Sequence, residues 1–167
     1  MRFSDDEHRQ WFNSQPRKPM SAAVLFQDTA QRVLLLKPTY RDNWSLPGGV
    51  VNEHESPLDG AVREVKEELS LSIDRSNLLL SAVDYRPARD DLVDKLYFYF
   101  YGGVLSSQKI SSIILQSEEI EEMRFVTVDE AKILLSKWTL RQVSVSLQQS
   151  GKSGVYLERG ELVEGQR

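Results

Sequence analysis

The stretch AVREVKEELS, residues 61–70, crowds three glutamates and two basic residues into one short segment. The glutamates are Glu64, Glu67 and Glu68. An α-helix turns about 100° per residue, so residues three and four apart lie side by side on its surface. On a helix, Glu64 is therefore a neighbour of both Glu67 and Glu68. The segment is either a solvated charged face or a binding site for a cation, and the choice decides the function.

Helix signals precede this segment. Ser56 is a residue type favoured at N-caps, Pro57 stands where the first helical residue falls, and Asp59 follows three positions after the cap. Apolar residues then recur at helical spacing, which places them on a single buried stripe. They are Leu58, Ala61, Val62, Val65 and Leu69. The sequence predicts a helix that buries one face and carries its glutamates on a separate flank.

Composition restricts the class of protein. The chain has 167 residues, 40% hydrophobic and 28% charged, which is typical of one globular domain rather than a disordered chain. Its formal net charge of −4 gives no strong signal for nucleic-acid binding. The absence of cysteine excludes disulfides, thiolate metal sites and a thiol nucleophile. With no apolar run of membrane-spanning length and a polar N-terminus, we expect a cytoplasmic protein with no membrane partner.

Strand-like segments dominate the rest of the chain. The predicted strands lie at residues 20–26, 32–38, 78–86, 95–105 and 121–128. Further helices are predicted at residues 1–15, 129–137 and 139–149, followed by a polar tail. The first of these is a short polar helix with Trp11 and Phe12 as its anchors, and residues 39–49 form a loop. This order favours a mixed sheet sandwiched by helices over a regularly alternating α/β fold.

The glutamate cluster by itself leaves both interpretations open. A charged face on a surface helix is the commoner origin of such a cluster. Crowded carboxylates are also the ligands that hard cations such as Mg²⁺ or Mn²⁺ prefer, often together with substrate phosphates. The flanking residues are needed to choose between these two.

Those flanking residues follow a longer pattern. Gly49 stands six positions before Glu55, which stands eight before Arg63, and Arg63 directly precedes Glu64. The whole stretch reads G-x5-E-x7-R-E-U-x-E-E-x-x-U, where U is a bulky aliphatic residue. It resembles the Nudix box, G-x5-E-x7-R-E-U-x-E-E-x-G-U, and the preceding WSLPGG resembles that family's usual approach to the box. All fixed positions match except one, where Ser70 replaces glycine.

Ser70 bears on the end of the helix. Glycine just past a helix commonly adopts the left-handed conformation that closes the last turn. Serine in that conformation costs on the order of 1 kcal/mol, or else the helix ends differently. Because this residue would touch no ligand, the replacement affects the helix terminus more than the chemistry.

The resemblance implies a fold and a domain organisation. The implied fold class is α/β, a Nudix-type α/β/α sandwich around a mixed β-sheet. We expect residues 1–167 to form a single Nudix hydrolase domain with the box at residues 49–71. An N-terminal extension at 1–17 and a C-terminal helical segment and tail at 128–167 complete it.

The resemblance also implies an activity. Nudix hydrolases cleave a diphosphate linkage in compounds that join a nucleoside diphosphate to another group. The implied cofactor is Mg²⁺, with Mn²⁺ as a substitute. Its implied ligands are Glu64, Glu67, Glu68 and the carbonyl of Gly49. The implied catalytic residues are Glu68, Glu67, Arg63 and Glu55, with Arg63 orienting carboxylates and Glu55 near the cation.

A general base must take a proton from the attacking water. In the family it is a box glutamate, here Glu68 or Glu67, or a glutamate from a loop near the last strand, here Glu118 or Glu119. We expect Glu68 to be the base. The candidate substrate contacts are Arg41, Tyr85 and Arg86.

The sequence does not identify the substrate. The resemblance implies that the partner is a small-molecule diphosphate compound derived from a nucleotide, and a homodimer is compatible with the family. One alternative is an ADP-ribose or nucleotide-sugar pyrophosphatase. Pro87 lies 87 − 71 = 16 residues beyond the box, and the resemblance implies ADP-ribose-type substrates where a proline stands near this offset. A turn residue explains that proline equally well. The other alternative is a non-catalytic nucleotide-binding module, against which the four intact box carboxylates argue.

Overall fold

A computed structural model describes residues 4–89, 93–149 and 154–163. The N-terminal half contains α1 (Asp5–Ser14), β1 (Met20–Gln27), β2 (Val33–Pro38), β3 (Gly48–Val50), α2 (Pro57–Leu69) and a 3₁₀ turn (Arg75–Asn77). The C-terminal half contains β4 (Leu79–Arg86), β5 (Lys95–Val104), α3 (Ser107–Ser111), β6 (Ile120–Val126), α4 (Val128–Leu134), α5 (Lys137–Gln148), β7 (Val155–Glu158) and β8 (Glu161–Leu162). In the described part of the chain, no helix is both long and apolar enough to span a bilayer.

The described strands form one mixed sheet in the order β6-β2-β1-β5-β4-β7-β8, with β3 paired to the start of β1. The pairs β1–β5 and β4–β7 are parallel. The remaining pairs are antiparallel. The predicted mixed sheet is confirmed, and its strands include each of those predicted from the sequence.

Helices cover both faces of this sheet. Helix α2 packs on β1 and β3, whereas α5 packs on β4 and β5. Because side chains alternate along a strand, β1 supplies both cores: Val24 and Phe26 lie in the α2 core, and Leu25 lies in the α5 core. The predicted α/β/α sandwich around a mixed sheet is therefore confirmed.

Strand β3 replaces the end of the predicted loop. Gly48 pairs with Ala23 and Gly49 pairs with Ala22. Gly48 has φ 143°, and a Cβ there would lie 2.2 Å from the carbonyl oxygen of Ala22. Gly48 therefore permits a backbone approach that a side chain would block.

Helix α2 begins and ends close to the residues predicted from the sequence. Ser56 caps it by accepting the Asp59 N–H through its side chain, and Pro57 is the first helical residue. Its last turn closes at Ser70, which adopts the left-handed conformation with φ 54° and ψ 20°. The backbone N–H of Ser70 donates to the carbonyl of Lys66. Serine thus takes the backbone geometry expected for the box glycine.

Two predictions at the chain ends were wrong. Trp11 and Phe12 do not anchor α1, because they are 53% and 64% exposed and no described residue of α1 is buried. The tail after α5 is not simply polar coil, because β7 pairs with β4 and fully buries Leu157. Residues 150–153 and 164–167 of that tail lie outside the described residues. Helix α3, which had no predicted counterpart, is capped by Ser106.

Candidate active site

The glutamate-bearing flank of α2 is oriented by the burial of its opposite face. Ala61, Val65 and Leu69 have no exposed surface, and they pack into the core between α2 and the sheet. This packing fixes the rotation of the helix. Glu68 consequently lies at the edge of the core and is 7% exposed, whereas Glu67 projects towards solvent.

Arg63 joins the box carboxylates. Its Nη1 donates to Oε1 of Glu64 at 2.9 Å and to Oε2 of Glu67 at 2.8 Å. Its Nε donates to Oε1 of Glu55 at 2.9 Å, and its Nη2 donates to the carbonyl of Val50 at 2.9 Å. These hydrogen bonds from Arg63 hold the pKa of Glu55 below its usual value. One guanidinium thus links strand β3, the loop before α2 and the helix itself.

Glu68 is held by the backbone instead. Its Oε2 accepts the N–H of Gly48 at 2.8 Å. Burial raises the pKa of Glu68 to about 8; the Gly48 N–H opposes that rise, and the negative charges of Glu64 and Glu119 add to it. The positive charge of Arg41 lowers the pKa of Glu68. The site therefore contains a buried carboxyl group that a nearby cation would stabilise in its charged form.

The absence of a side chain at Gly49 leaves room for the Glu64 carboxylate. A Cβ on Gly49 would lie 2.4 Å from Oε1 of Glu64, well inside van der Waals contact. Burial raises the pKa of Glu64, although the hydrogen bond from Arg63 opposes the rise. The glycine at the start of the box is therefore explained by close packing of a half-buried carboxylate against the strand.

The cluster is not a preformed cation cage. Among residues 4–89, 93–149 and 154–163, no three His, Asp or Glu side chains are arranged to hold a metal ion. Arg63 occupies one oxygen each of Glu64 and Glu67, and Gly48 occupies one oxygen of Glu68. Each of these three carboxylates nevertheless keeps its second oxygen without a hydrogen-bond partner in the described part of the chain.

The chemistry of these donors fits a hard divalent cation. Carboxylate and carbonyl oxygens are the ligands that Mg²⁺ and Mn²⁺ prefer, and Mg²⁺ usually completes its shell with water and substrate phosphate. Glu67 has room to move, because its side chain is 53% exposed. Glu64, Glu67 and Glu68 could therefore hold a cation after a side-chain rearrangement away from Arg63.

Of the two loop glutamates, Glu119 is the one whose charge acts on the cluster. Its charge raises the pKa of both Glu64 and Glu68. The loop is tied to β2 because Thr39 donates its N–H to the carbonyl of Glu119 and its hydroxyl to the carbonyl of Glu118. Glu118 makes its described contact with Thr39 through its backbone carbonyl.

The candidate substrate contacts are divided between the two faces of the sheet. Arg41 is close enough to Glu68 to lower its pKa. Tyr85 and Arg86 are adjacent on β4, so their side chains point to opposite faces. Tyr85 donates to Asp94, whereas Arg86 donates to Gln142 of α5. The structure thus brings Arg41 to the glutamate cluster and turns Arg86 to the α5 face.

One contributor was missed by the sequence reasoning. Gly48, the residue directly before the box, donates the backbone hydrogen bond that fixes Glu68. Its type gave a signal, because consecutive glycines often mark a close backbone approach. The direction of its N–H depends on the pairing of β3 with β1 and could not be inferred from the sequence.

A family model described as the NUDIX domain matches residues 17–147. The mRNA-decapping enzyme subunit 2 of Saccharomyces cerevisiae (strain YJM789) is 33% identical over 69 residues, covering 41% of this chain and 7% of that protein. An RNA pyrophosphohydrolase of Ruthia magnifica subsp. Calyptogena magnifica is 36% identical over 59 residues, covering 35% of this chain and 33% of that protein. The matched stretches thus span well under two thirds of either relative.

Solved structures show the same fold. The NUDIX domain of Shewanella oneidensis NrtR, determined in complex with ADP ribose, superposes with a TM-score of 0.70. The match covers 89% of this chain and 99% of that chain, at 14% sequence identity. At this identity the likeness concerns the fold alone.

Proposed function

The chain belongs to the NUDIX family, and from that premise we propose that it is a hydrolase that cleaves the diphosphate linkage of a nucleotide or nucleoside diphosphate derivative with Mg²⁺ as cofactor. One observation carries the proposal. Glu64, Glu67 and Glu68 share one flank of α2, and each keeps a carboxylate oxygen without a hydrogen-bond partner among the described residues. The names of the two relatives, a decapping enzyme and a pyrophosphohydrolase, support a reaction of this class.

In this proposal the box residues bind the cation. Glu64, Glu67 and Glu68 are its carboxylate ligands, and the carbonyl of Gly49 is a further one. When bound, the ion neutralises the diphosphate and lowers the pKa of coordinated water. Glu67 leaves Arg63 to join the other two, which its exposure allows.

Arg63 and Glu55 act as positioning residues. The guanidinium of Arg63 donates to Glu55 at 2.9 Å while it also contacts Glu64. Glu55 is itself held by the N–H of Asn52 at 2.9 Å. This chain of contacts fixes the helix against the loop that precedes it, so Glu64 stays in place when Glu67 moves. Preorganised charge of this kind can supply much of the catalysis of phosphoryl transfer.

Glu68 is the proposed general base. Its orientation is fixed by the Gly48 N–H, so its Oε1 takes one role at a time: it binds the cation, or it accepts the proton of a water that the cation holds with Glu64 and Glu67. Glu119 is the alternative, supported by its electrostatic influence on both Glu64 and Glu68. Glu67 and Glu118 are the lesser candidates, because Glu67 is largely exposed and the described contact of Glu118 is made by its backbone.

Arg41 is the proposed contact for substrate phosphate. Its positive charge acts on Glu68, so it lies on the side of the site where an anionic substrate would be attracted. The guanidinium also lies over the exposed ring of Tyr40, 5.6 Å from its centroid. Tyr85 remains a proposed contact on the α2 face.

A panel of diphosphate compounds tests the proposed function. The protein is incubated with Mg²⁺ and nucleoside triphosphates, ADP-ribose, sugar nucleotides, dinucleoside polyphosphates or capped RNA, and phosphate products are measured. We expect turnover of at least one compound, lost in EDTA and reduced at least about 100-fold by Glu68→Gln. Glu53→Gln is the matched control, because it removes an equal charge at an exposed position in the box. A wild-type protein that binds cation but cleaves nothing would support the non-catalytic module instead.

A further inference from the structure

Tyr40 presents an aromatic ring to solvent on the loop between β2 and β3. The residue is 73% exposed and stands at the tip of the loop, where residues 39–43 are all exposed. The next residue, Arg41, places its guanidinium over this ring, 5.6 Å from the centroid. The guanidinium covers one face of the ring at most, and the exposure of the residue leaves the other face open. Tyr40 therefore offers a flat apolar surface next to a positive charge.

The loop that carries this ring is anchored on both sides of its tip. At its base, Leu36 and Ser45 exchange two backbone hydrogen bonds, of 2.8 and 2.9 Å. Directly before the ring, Thr39 donates its backbone N–H to the carbonyl of Glu119 at 2.8 Å. After the tip, the buried side chain of Trp44 returns the chain to the core. An exposed side chain on an anchored loop loses less conformational freedom when a ligand binds to it.

A chain of backbone hydrogen bonds joins this loop to the glutamate-bearing helix. Glu119, which accepts the N–H of Thr39, donates its own N–H to the carbonyl of Gln116 at 3.1 Å. The N–H of Gln116 in turn donates to the backbone carbonyl of Glu68 at 3.1 Å. Burial raises the pKa of Glu68, and the positive charge of Arg41 is near enough to oppose that rise. The hydrogen bonds and the charge both place the loop tip at the edge of the candidate site.

The ring and the guanidinium match the two parts of a nucleotide. An arginine binds phosphate oxygens through its forked donors, whereas a tyrosine ring stacks on the flat face of any nucleobase. A single ribose separates these two parts of the ligand, and Tyr40 and Arg41 are consecutive residues of the protein. A phosphate bound by Arg41 beside the glutamates therefore leaves the base within reach of Tyr40. A polyol attached to the diphosphate has no flat ring to place there.

We infer that Tyr40 is a specificity-determining residue, on which the base of a nucleotide substrate stacks while Arg41 binds the adjoining phosphate. The inference rests on the proposed function and names its substrate class, in which the cleaved diphosphate is attached directly to a nucleoside. The base is selected by its flat surface, so a purine gains more from the contact than a pyrimidine does. Tyr40 contributes to binding and takes no part in bond cleavage.

Calorimetric titration with AMP and with ribose 5-phosphate, in buffer that contains Mg²⁺, tests this inference. Both probes carry the same sugar and phosphate, but only AMP has a base, and neither has a diphosphate linkage to cleave. We expect AMP to bind at least about fivefold more tightly, which is the lower end of what stacking of one base contributes. Tyr40→Ala should abolish this difference by weakening AMP alone, and Tyr40→Phe should preserve it because the ring remains. Arg41→Gln should weaken both probes by the same factor, because both carry the phosphate.

Phe12→Ala is the matched control, because it removes a largely exposed aromatic ring from α1 and should leave both affinities unchanged. AMP that binds no more tightly than ribose 5-phosphate, or an AMP affinity that Tyr40→Ala leaves unchanged, would overturn the inference. Equal weakening of both probes by Tyr40→Ala would also overturn it, because Tyr40 would then position Arg41 rather than stack on a base.

The ratio of the two affinities cancels what the cation and Arg41 contribute to the shared phosphate. Its value is therefore independent of the hydrolysis panel, and a failure of this inference can be distinguished from a failure of the proposed function. With a cleaved nucleotide, Tyr40→Ala should raise KM while kcat stays within about twofold. Loss of kcat without a change in KM would contradict a binding role.

Discussion

At the scale of single residues, the candidate site depends on the competition between Arg63 and a cation for the same carboxylates. Arg63 neutralises Glu64 and Glu67 and links them to Glu55. Without it, three like charges on neighbouring helix positions would repel one another. The arginine thus keeps the acidic helix stable while leaving its exposed glutamate able to move.

Arg63→Gln should lower both stability and activity. The variant leaves half-buried carboxylates without their charged donor, so we expect the free energy of unfolding to fall by about 1–3 kcal/mol. Loss of an orienting contact behind a metal ligand should lower kcat/KM by about 10- to 100-fold. Urea unfolding and steady-state kinetics measure the two effects. Arg63→Lys should recover only part of either, because lysine cannot reproduce the forked contacts; a fully active Arg63→Gln would disprove the positioning role.

At the scale of secondary-structure elements, capping and turn chemistry fix where the functional segments begin and end. Helix α2 is fixed by Ser56 at one end and by the left-handed Ser70 at the other. The β1–β2 hairpin is closed by Asp28, which is 4% exposed and accepts the backbone N–H groups of Ala30 and Arg32. The first feature fixes the length of the helix that carries the glutamates, and the second fixes the turn between β1 and β2.

Ser70→Gly should stabilise the protein. Glycine adopts φ 54° without the steric penalty that serine bears, so the free energy of unfolding should rise by up to about 1 kcal/mol. Ser112→Gly is the matched control, because Ser112 ends α3 in the right-handed region and gains nothing from glycine. Denaturant unfolding compares the two variants. If Ser70→Gly were no more stable than Ser112→Gly, the left-handed strain assigned to Ser70 would be wrong.

Asp28→Asn should destabilise the hairpin in a pH-dependent way. Burial raises the pKa of Asp28, but hydrogen bonds from Arg32 and Ala30 outweigh it and hold that pKa below its usual value. A lowered pKa in the folded state means that the stabilisation is complete above the ordinary value and is lost as the pH falls through the folded-state pKa. We expect the variant to lose about 1–3 kcal/mol at pH 7 and progressively less below pH 4. Urea unfolding at both pH values measures this, and a pH-independent loss would contradict it.

Sequence patterns that lie within a single segment predicted these elements correctly. The apolar spacing and Pro57 predicted α2, and alternating or continuous apolar runs predicted β1, β4 and β5. The hydrogen bond from Gly48 to Glu68 could not be predicted, because it depends on strands that meet only in the folded sheet. The resemblance named Glu118 and Glu119 together, and only the fold shows which of the two acts on the cluster through its charge. Arg86 was grouped with Tyr85 by sequence, and the alternation of β4 separates them.

At the scale of the whole molecule, the two ends of the chain contribute unequally. Helix α1 has no buried residue in its described span, whereas β7 completes the α5 core with Leu157. The sequence suggested the reverse, since aromatic residues mark α1 and polar residues surround β7. A four-residue strand carries little signal of its own, and its burial comes from pairing with β4.

Truncation tests this inequality. A chain that ends at residue 149 loses the buried side chain of Leu157 and the Gly160 N–H that Asp84 accepts. We expect it to lose at least about 3 kcal/mol of unfolding free energy. Removal of residues 1–15 should change that free energy by less than about 1 kcal/mol, because no described residue of α1 is buried. Chemical denaturation of both truncated chains measures these changes. Equal losses of unfolding free energy would contradict the assignment of β7 to the core.

The central claim is that Glu64, Glu67 and Glu68 together hold a divalent cation, and calorimetric titration with Mn²⁺ tests it most directly. Wild-type protein should bind at least one ion per chain. The double variant Glu64→Gln/Glu68→Gln should bind it at least about tenfold more weakly, because two charged ligands are lost. Glu53→Gln, which removes one negative charge at an exposed position of the box, should bind as wild type does. Wild-type protein that binds no Mn²⁺, or a double variant that binds it undiminished, would contradict the claim.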